Sequence, residues 1–463
     1  MAEHNQPSLD GPFHFVAVHS LDDRKAKRLA RSHAVARGLE NKRKLQQKSG
    51  LNFHAVHSGD DPGLPPTKTI QDQTLAIPSF PIPEGELGPF QMLAAESPRL
   101  QALLSCHKLH HGTEPVLSVS DELVLQDFRS ILRKGLDDHA LLNAIMLTFA
   151  SINTAGSIDR ECLQYKVEVL SSIRQRMTSS DKATTESTLG AILLLAGIEA
   201  RLGMPRQVQL HMGAIRQLLD ICRRKSVYLS DGIKRAIFWS DLNASVMTGS
   251  TRVVDHTTFS ELQWKRDPFA PSFFTLPPGF RPQSHLLGED FVEVLKDVFA
   301  LQCIRDSAFF GQEDVITMTH IDNHQASIQS RLVSLPTCSL VSECCHLAAY
   351  LCSTMLRCKI WRTSTIPSHL SLQLLCKVQQ TSDDLVWNDW PDLLAWLLHI
   401  GGAFAPEGAI RSGYVELLQS NHRSRLQDLY TSWSELLEIL KQFIWSEKAF
   451  MSQVKAFWDE SLV

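Results

Sequence analysis

The sequence predicts an all-α protein: a multi-helix array preceded by a basic arm and a proline-rich linker. Apolar residues recur every three or four positions from about residue 118 onward, which is the repeat of a helix face. Polar capping residues, among them Asp138 and Asp159, stand just before these repeats. Apart from short extended pieces, no set of alternating segments predicts a sheet.

Composition divides the chain into three parts. Residues 1–49 contain a short extended element, which begins at Phe13, and the basic arm. Residues 50–115 form the linker, where eight prolines between residues 50 and 98 prevent regular helix and favour extended chain. Residues 116–463 form the helical body. A length of 463 residues exceeds what one hydrophobic core usually organises, so more than one core is expected.

Helix starts and ends are predicted from punctuation residues. Helices are expected to open after Asp121, Asp138 and Asp159, and one helix is expected from Asp181 to Gly203. Pro205 then starts the next helix, since proline suits the first helical position. Five prolines predict a loop zone over residues 251–282. Further helices are predicted from Asp290, over 318–335, 339–361, 368–378 and 387–404, from Tyr414, and over 426–456.

Charge is distributed very unevenly along the chain. The net charge is -4, yet the window Arg24–Lys48 is +9 and the remainder is -13. Such asymmetry points to a polyanion partner or a nuclear import signal. The candidate DNA-binding or nuclear-import residues are Arg24, Lys25, Lys27, Arg28, Arg31, Arg37, Lys42, Arg43, Lys44 and Lys48.

The basic arm has two interpretations. As a helix it would place four basic residues on one face, where they would bind a duplex in a salt-dependent, sequence-blind way. Reading a DNA sequence would need more, and Leu29, Leu39 and Leu45 do not form the heptad array of a basic leucine zipper. We therefore favour an import signal or a solvated arm over direct DNA contact.

The ten cysteines predict reduced thiols in a cytosolic or nuclear protein. No two are three positions apart, which excludes every Cys-x-x-Cys site. Cys106, His107, His110 and His111 would suit zinc, although a histidine-rich linker is favoured. A seven-residue repeat favours a buried helix face over metal coordination, and it comprises Cys338, Cys345 and Cys352. No metal or cofactor is predicted.

Neither a catalytic role nor membrane insertion is predicted from the sequence. The sequence contains no Gly-x-Ser-x-Gly, no His-Glu-x-x-His and neither glycine-rich phosphate-binding motif, so no catalytic residue is predicted. Triads assembled only in space escape such a search. The longest apolar run, residues 191–198, is far below the roughly 20 residues that cross a bilayer, so no membrane partner is expected.

Several motifs follow one another in a recognisable order. They are Phe13-His14-Phe15-Val16, Arg31-Ser32-His33, Tyr165-x-x-x-Val169-x-x-x-Ile173, Thr188-Leu189 through Gly203, His211-x-Gly213, Phe238-Trp239-x-Asp241, Trp396, Ile400-Gly401-Gly402, Phe443-Ile444-Trp445 and Phe457-Trp458. In this order the chain resembles a fungal family related to the binuclear zinc-cluster regulators, namely proteins that keep the helical regulatory domain and lack the cluster. Two departures are Ala34-Val35, where Val-Met is typical, and Cys222-Arg223-Arg224, where Gly-Gly is common.

The resemblance implies a helical array of the fungal regulatory-domain type and a nuclear transcription regulator or co-regulator of a fungal metabolic gene set. Its partners would be DNA, through the arm, and proteins of the transcription machinery or a DNA-binding factor. A helical interaction scaffold without DNA contact and a pathway enzyme are the alternatives. The motifs also have a packing explanation, in which Gly203 ends a helix, Gly213 permits a close crossing, and Trp396, Trp445 and Trp458 fill the core.

Overall fold

The regular structure of the body is helical, as the sequence predicted. The computed structural model describes residues 138–154, 158–266, 271–307, 315–336, 339–356, 365–421 and 425–462. These residues form sixteen α-helices and three short 3-10 turns, and no strand occurs among them. The basic arm, the linker, the extended element at Phe13 and the helix predicted after Asp121 lie outside them.

Six helices come before the loop zone and ten follow it. The first six are α1 (His139–Asn153), α2 (Arg160–Arg176), α3 (Ser180–Ala183), α4 (Glu186–Arg201), α5 (Pro205–Arg224) and α6 (Asp231–Thr248). The 3-10 turns are Ser260–Leu262, Pro271–Phe273 and Pro278–Phe280. The later helices are α7 (Ser284–Leu287), α8 (Glu289–Asp306), α9 (Val315–Ser334), α10 (Leu340–Met355), α11 (Thr365–Gln380), α12 (Val386–Asp389), α13 (Pro391–Ala403), α14 (Ala409–Asn421), α15 (Trp433–Leu440) and α16 (Met451–Ser461).

Side-chain caps explain several of these helix starts. The Asp138 carboxylate accepts a hydrogen bond from the Leu141 amide at 3.0 Å, and Asp159 accepts one from the Cys162 amide at 2.8 Å. Both satisfy amides that the first turn of a helix leaves unpaired. Pro205 is the first residue of α5, and Gly203 before it has a φ of 64°, which favours glycine. These predictions are confirmed.

Two of the predicted long helices are wrong because polar residues or proline interrupt them. Residues 181–203 form α3 and α4 with a break at Thr184, and the Thr185 hydroxyl then accepts a hydrogen bond from the Thr188 amide and caps α4. Residues 387–404 form α12 and α13, because Pro391 cannot continue a helix and instead begins one.

The helix predicted over 426–456 is also wrong. It divides into α15 and α16, and residues 441–450 between them form turns anchored on α8. The Trp445 amide donates to Gln302 at 2.8 Å, and the Ser446 hydroxyl donates to Asp306 at 2.6 Å. Conversely, α6 is a helix that was not predicted from the sequence, although Ser230 caps its first turn.

The buried apolar side chains form two cores. The first core lies among α1, α2, α4, α5 and α6, with Leu193 and Trp239 at its centre. The second lies among α8 to α16 and is rich in aromatic rings, including Trp396 and Phe443, whose ring centroids are 5.4 Å apart. Helix α9 contributes Ala326 to the first core and residues such as Ile328 to the second, so it lies between them.

Small residues allow α13 to approach its neighbours closely. A Cβ atom on Gly401 would overlap the ring of Tyr414 on α14, and one on Gly402 would overlap Phe457 on α16. The predicted burial of Trp396, Trp445 and Trp458 is confirmed. The close crossing predicted at Gly213 is wrong, because a Cβ atom there would meet no other group within 4 Å.

Within the seven ranges given above, no helix is both long enough and apolar enough to span a membrane.

Candidate functional site

Helix α9 is buried on every side although most of its residues are polar. All ten residues of the run Ile321–Ser330 are buried, and seven of them have polar side chains. Burial of a polar group without a hydrogen-bond partner is costly, so these side chains require partners on the elements around them. The resulting contacts define a site that we call the polar seam, formed by Lys234, Arg235, Glu261, Trp264, Arg266, Asp297, Asp322, Asn323, His324, Gln325, Gln329 and Arg331.

The seam ties α6 of the first core to α9. Arg235 on α6 donates hydrogen bonds to the Asp322 carboxylate at 2.5 Å and to the Asn323 side chain at 2.7 Å. Asn323 in turn donates to the main-chain carbonyl of Glu261 at 2.8 Å. The side chain of Lys234, which is fully buried, donates to the Glu261 carboxylate at 2.5 Å. Four charged side chains therefore neutralise one another between α6, the loop zone and α9.

A second group of charges joins the loop zone to α8 and α9. Asp297 on α8 is almost fully buried and accepts hydrogen bonds from Arg266 at 3.0 Å and from Arg331 at 2.5 Å. Arg266 also lies over the ring of Phe274, 5.0 Å from its centroid. Hydrogen bonds of this charge-assisted kind are stronger than neutral ones, so they fix the loop zone against the two helices.

A stacked pair of rings lies between these two groups. The imidazole of His324 is parallel to the indole of Trp264, with centroids 3.9 Å apart and planes inclined by 3°. His324 is fully buried, and neither of its ring nitrogens has a hydrogen bond of normal geometry, although the Asp297 carbonyl lies nearby. Burial, together with the positive charges of Arg331 and Arg266, lowers the pKa of His324 well below its usual value. The ring is therefore neutral at pH 7.

The other side of α9 is bound to the second core. Gln325 donates a hydrogen bond to the main-chain carbonyl of Ser353 at 2.8 Å, and Gln329 donates to the hydroxyls of Ser353 and Thr354, both at 3.2 Å. These acceptors lie in the last turn of α10. The seam thus connects both cores to one helix through polar contacts.

Asp241, part of the Phe238-Trp239-x-Asp241 motif, has a structural role outside the seam. Its carboxylate accepts hydrogen bonds from Arg252 at 2.8 Å, from the Val253 amide at 3.0 Å and from the Val254 amide at 3.1 Å. Burial raises the pKa of Asp241, although Arg252 and the two amides act in the opposite direction. The carboxylate organises the turn that follows α6.

The residues singled out from sequence divide between the two parts of the chain. All ten candidate DNA-binding or import residues, from Arg24 to Lys48, lie outside the described residues, as do the cluster from Cys106 to His111 and Cys338. Cys345 and Cys352 are fully buried on α10, in agreement with the buried face predicted from their spacing, and burial raises the pKa of both thiols. Across the described ranges, no group of three or more His, Cys, Asp or Glu residues could hold a metal ion.

Sequence reasoning missed the polar seam altogether. Its members come from four separate stretches of the chain, and Arg235 and Asp322 are 87 residues apart. The one available signal was the run Asp322-Asn323-His324-Gln325 inside a predicted helix, because four consecutive polar residues occupy more than one face of a helix.

Comparison of the chain with models of known protein families, with curated proteins and with solved structures gives no match. The role of the polar seam is therefore inferred from its own residues alone. Asp297 and Asp322 are held by arginine and Glu261 by lysine, and the adjacent histidine is neutral. An arrangement of this kind couples the first core to the second through α9.

Proposed function

We propose that the chain is a nuclear transcription regulator or co-regulator, controlling a fungal metabolic gene set through its helical body and without a zinc cluster of its own. The observation that carries this proposal is the charge partition of the sequence. A window of +9 at Arg24–Lys48 precedes a remainder of -13. A basic arm beside an acidic body suits import into the nucleus and contact with a polyanion.

The body supports a role based on association. Tyr165 and Leu189 of the motif series lie in the first core, and Trp396, Trp445 and Trp458 of the same series lie in the second. The resemblance to fungal regulatory domains thus rests on residues that build both cores. The polar seam gives such a body a physical link, since a ligand or partner that shifts one core also acts on α9.

Import is the first property to test. Replacement of Lys42, Arg43 and Lys44 by alanine should move a fluorescently tagged protein from the nucleus to the cytoplasm of a fungal cell. The matched control replaces another exposed basic triplet, Arg223-Arg224-Lys225 at the end of α5, and should leave the protein nuclear. Unchanged localisation of the arm variant would reject the import role, and cytoplasmic wild-type protein would favour the scaffold alternative.

DNA contact is tested by a salt titration of duplex binding, with the full chain and with a chain that lacks residues 1–49. Contact through the arm predicts an affinity that falls with salt, with a log–log slope of about 0.9 per phosphate contacted, and that disappears with the arm. If the full chain has no affinity even at low salt, direct binding is wrong. The regulator would then act through a DNA-binding partner.

A further inference from the structure

One face of α2, extended by Met177 directly after its last residue, presents apolar side chains to solvent in a regular series. Leu163, Val167, Leu170 and Met177 are 52%, 63%, 37% and 40% exposed. Together with Arg174 they are spaced four, three, four and three residues apart, which places them along one line of the helix. At 1.5 Å per residue this apolar stripe is about 21 Å long.

Such a stripe differs from scattered surface leucines. Single exposed apolar residues are normal in folded proteins, whereas several along one line of a helix, here four of five positions, mark a surface that another element covers. The neighbouring face of α2 is already used, because Cys162, Tyr165 and Val169 are buried in the first core. The four-three spacing is that of a helix that packs lengthwise against a second helix.

The preceding chain arrives at one end of this stripe. Asp138, the first described residue, accepts hydrogen bonds from both terminal nitrogens of Arg176, each at 2.9 Å. The next residue, His139, contacts the Ser172 hydroxyl at 3.1 Å. Residue 138 is therefore fixed beside the C-terminal end of α2, close to Met177.

The sequence just before Asp138 matches the stripe in pattern and in length. The sequence predicts a helix that opens after Asp121, and its apolar residues Leu125, Phe128 and Leu132 are three and four residues apart. A helix of 14 residues is about 21 Å long. Gly135 lies between it and Asp138, where a turn is needed.

We propose that residues 120–133 dock as a helix along the apolar stripe of α2, parallel to α2, with Leu125, Phe128 and Leu132 against it. The chain would then leave the body near Leu163, so the linker and the basic arm would start at the N-terminal end of α2. This proposal goes beyond the proposed function, because the docking of residues 120–133 on α2 does not depend on what the basic arm binds.

Hydrogen exchange of the full chain, followed by mass spectrometry, tests the docking. In the wild type the amides of residues 121–133 should exchange at least tenfold more slowly than those of the linker. The triple variant Leu163→Ser, Val167→Ser, Leu170→Ser should remove at least tenfold of that protection. The control Leu210→Ser, at an exposed leucine of α5, should leave it unchanged.

A second variant separates docking from any damage to α2. Leu125→Ser with Phe128→Ser lies outside the described helices, so the circular dichroism of the body should persist while the same protection is lost. Rapid exchange of residues 121–133 in the wild type, or protection that the stripe variant leaves intact, would overturn the proposal. So would light scattering that shows a dimer which the stripe variant dissociates while residues 121–133 exchange freely, because a second copy would then cover the stripe.

Discussion

Two adjacent cations near the start of α6 are buried in a protein interior where charge is expensive. Lys234 is fully buried and Arg235 is 6% exposed. Each has a carboxylate partner, Glu261 for the lysine and Asp322 for the arginine, so each charge is compensated. A buried pair adds little net stability over a well-packed apolar pair, but removal of one partner leaves the other charge isolated.

The substitution Arg235→Leu should therefore lower the free energy of unfolding by about 3–5 kcal/mol, because Asp322 would remain buried without a countercharge. Urea denaturation at pH 7 measures this change. The double variant Arg235→Leu, Asp322→Leu should recover most of the loss. Arg223→Ala, which breaks the exposed pair with Asp220, should cost about 1 kcal/mol or less. A single variant no worse than this control would show that the buried pair is unimportant.

Residues with local partners were predictable from sequence, and residues with distant partners were not. Asp138 and Asp159 bond to amides three residues away, so their capping roles follow from position alone. The partners of Asp297, by contrast, are 31 and 34 residues away, and nothing in a helical pattern states which distant arginine a carboxylate meets. The polar seam, which is the whole of the candidate site, could not be predicted from sequence for this reason.

At the scale of elements, two glycines in helices occupy opposite environments. Gly402 in α13 faces the ring of Phe457, whereas Gly213 in α5 faces open space. Close approach of α13 and α16 depends on the missing side chain at 402. Glycine at 213 has no such reason and only weakens its helix.

Alanine substitutions at Gly402 and Gly213 should change the free energy of unfolding in opposite directions. Gly402→Ala should destabilise the protein by about 1–3 kcal/mol, because the new methyl group must displace Phe457. Gly213→Ala should stabilise it by about 0.5–1 kcal/mol through the higher helix propensity of alanine. Chemical denaturation of the two variants beside the wild type gives both values. Equal effects at the two sites would contradict the packing described for α13.

Periodicity predicted most helices within a few residues, but it could not place breaks caused by tertiary contacts. α9, predicted over 318–335, spans 315–334. Between α15 and α16 the apolar spacing continues, yet Trp445 and Ser446 instead bond to α8, more than a hundred residues earlier. Such an override is visible only once the two segments are together in space.

At the scale of the whole molecule, several histidines are buried in neutral form. Burial lowers the pKa of His346 and of His399 to about 4, and it also lowers that of His324 well below the usual value. In the unfolded chain a histidine has a pKa of about 6.5. Between pH 6.5 and 4 these histidines therefore bind protons in the unfolded state but not in the folded state, so the folded state loses stability as the pH falls.

The melting temperature should accordingly be constant above pH 6.5 and fall between pH 6.5 and 4. Protonation of His346 and of His399 in the unfolded chain should each lower the free energy of unfolding by about 2 kcal/mol at pH 5. Thermal unfolding followed by circular dichroism from pH 7.5 to 5 measures the fall. His346→Gln should flatten it, while His285→Gln, at an exposed position, should not. A melting temperature independent of pH, or unaffected by His346→Gln, would contradict neutral burial.

The polar surface of α9 has a consequence for cooperativity. Helices with apolar faces can detach and pack elsewhere, but five of the seven buried polar residues in the run Ile321–Ser330 of α9 have hydrogen-bond partners that only the native arrangement supplies, namely Asp322, Asn323, Gln325, Gln329 and Ser330. Partial separation of the two cores would leave Asp322, Asn323 and Gln325 buried without their hydrogen-bond partners. The two cores should therefore unfold in one transition. A fragment that ends before α9 should show a fixed tertiary structure, as measured by near-UV circular dichroism, only after the remainder of the chain is added in trans.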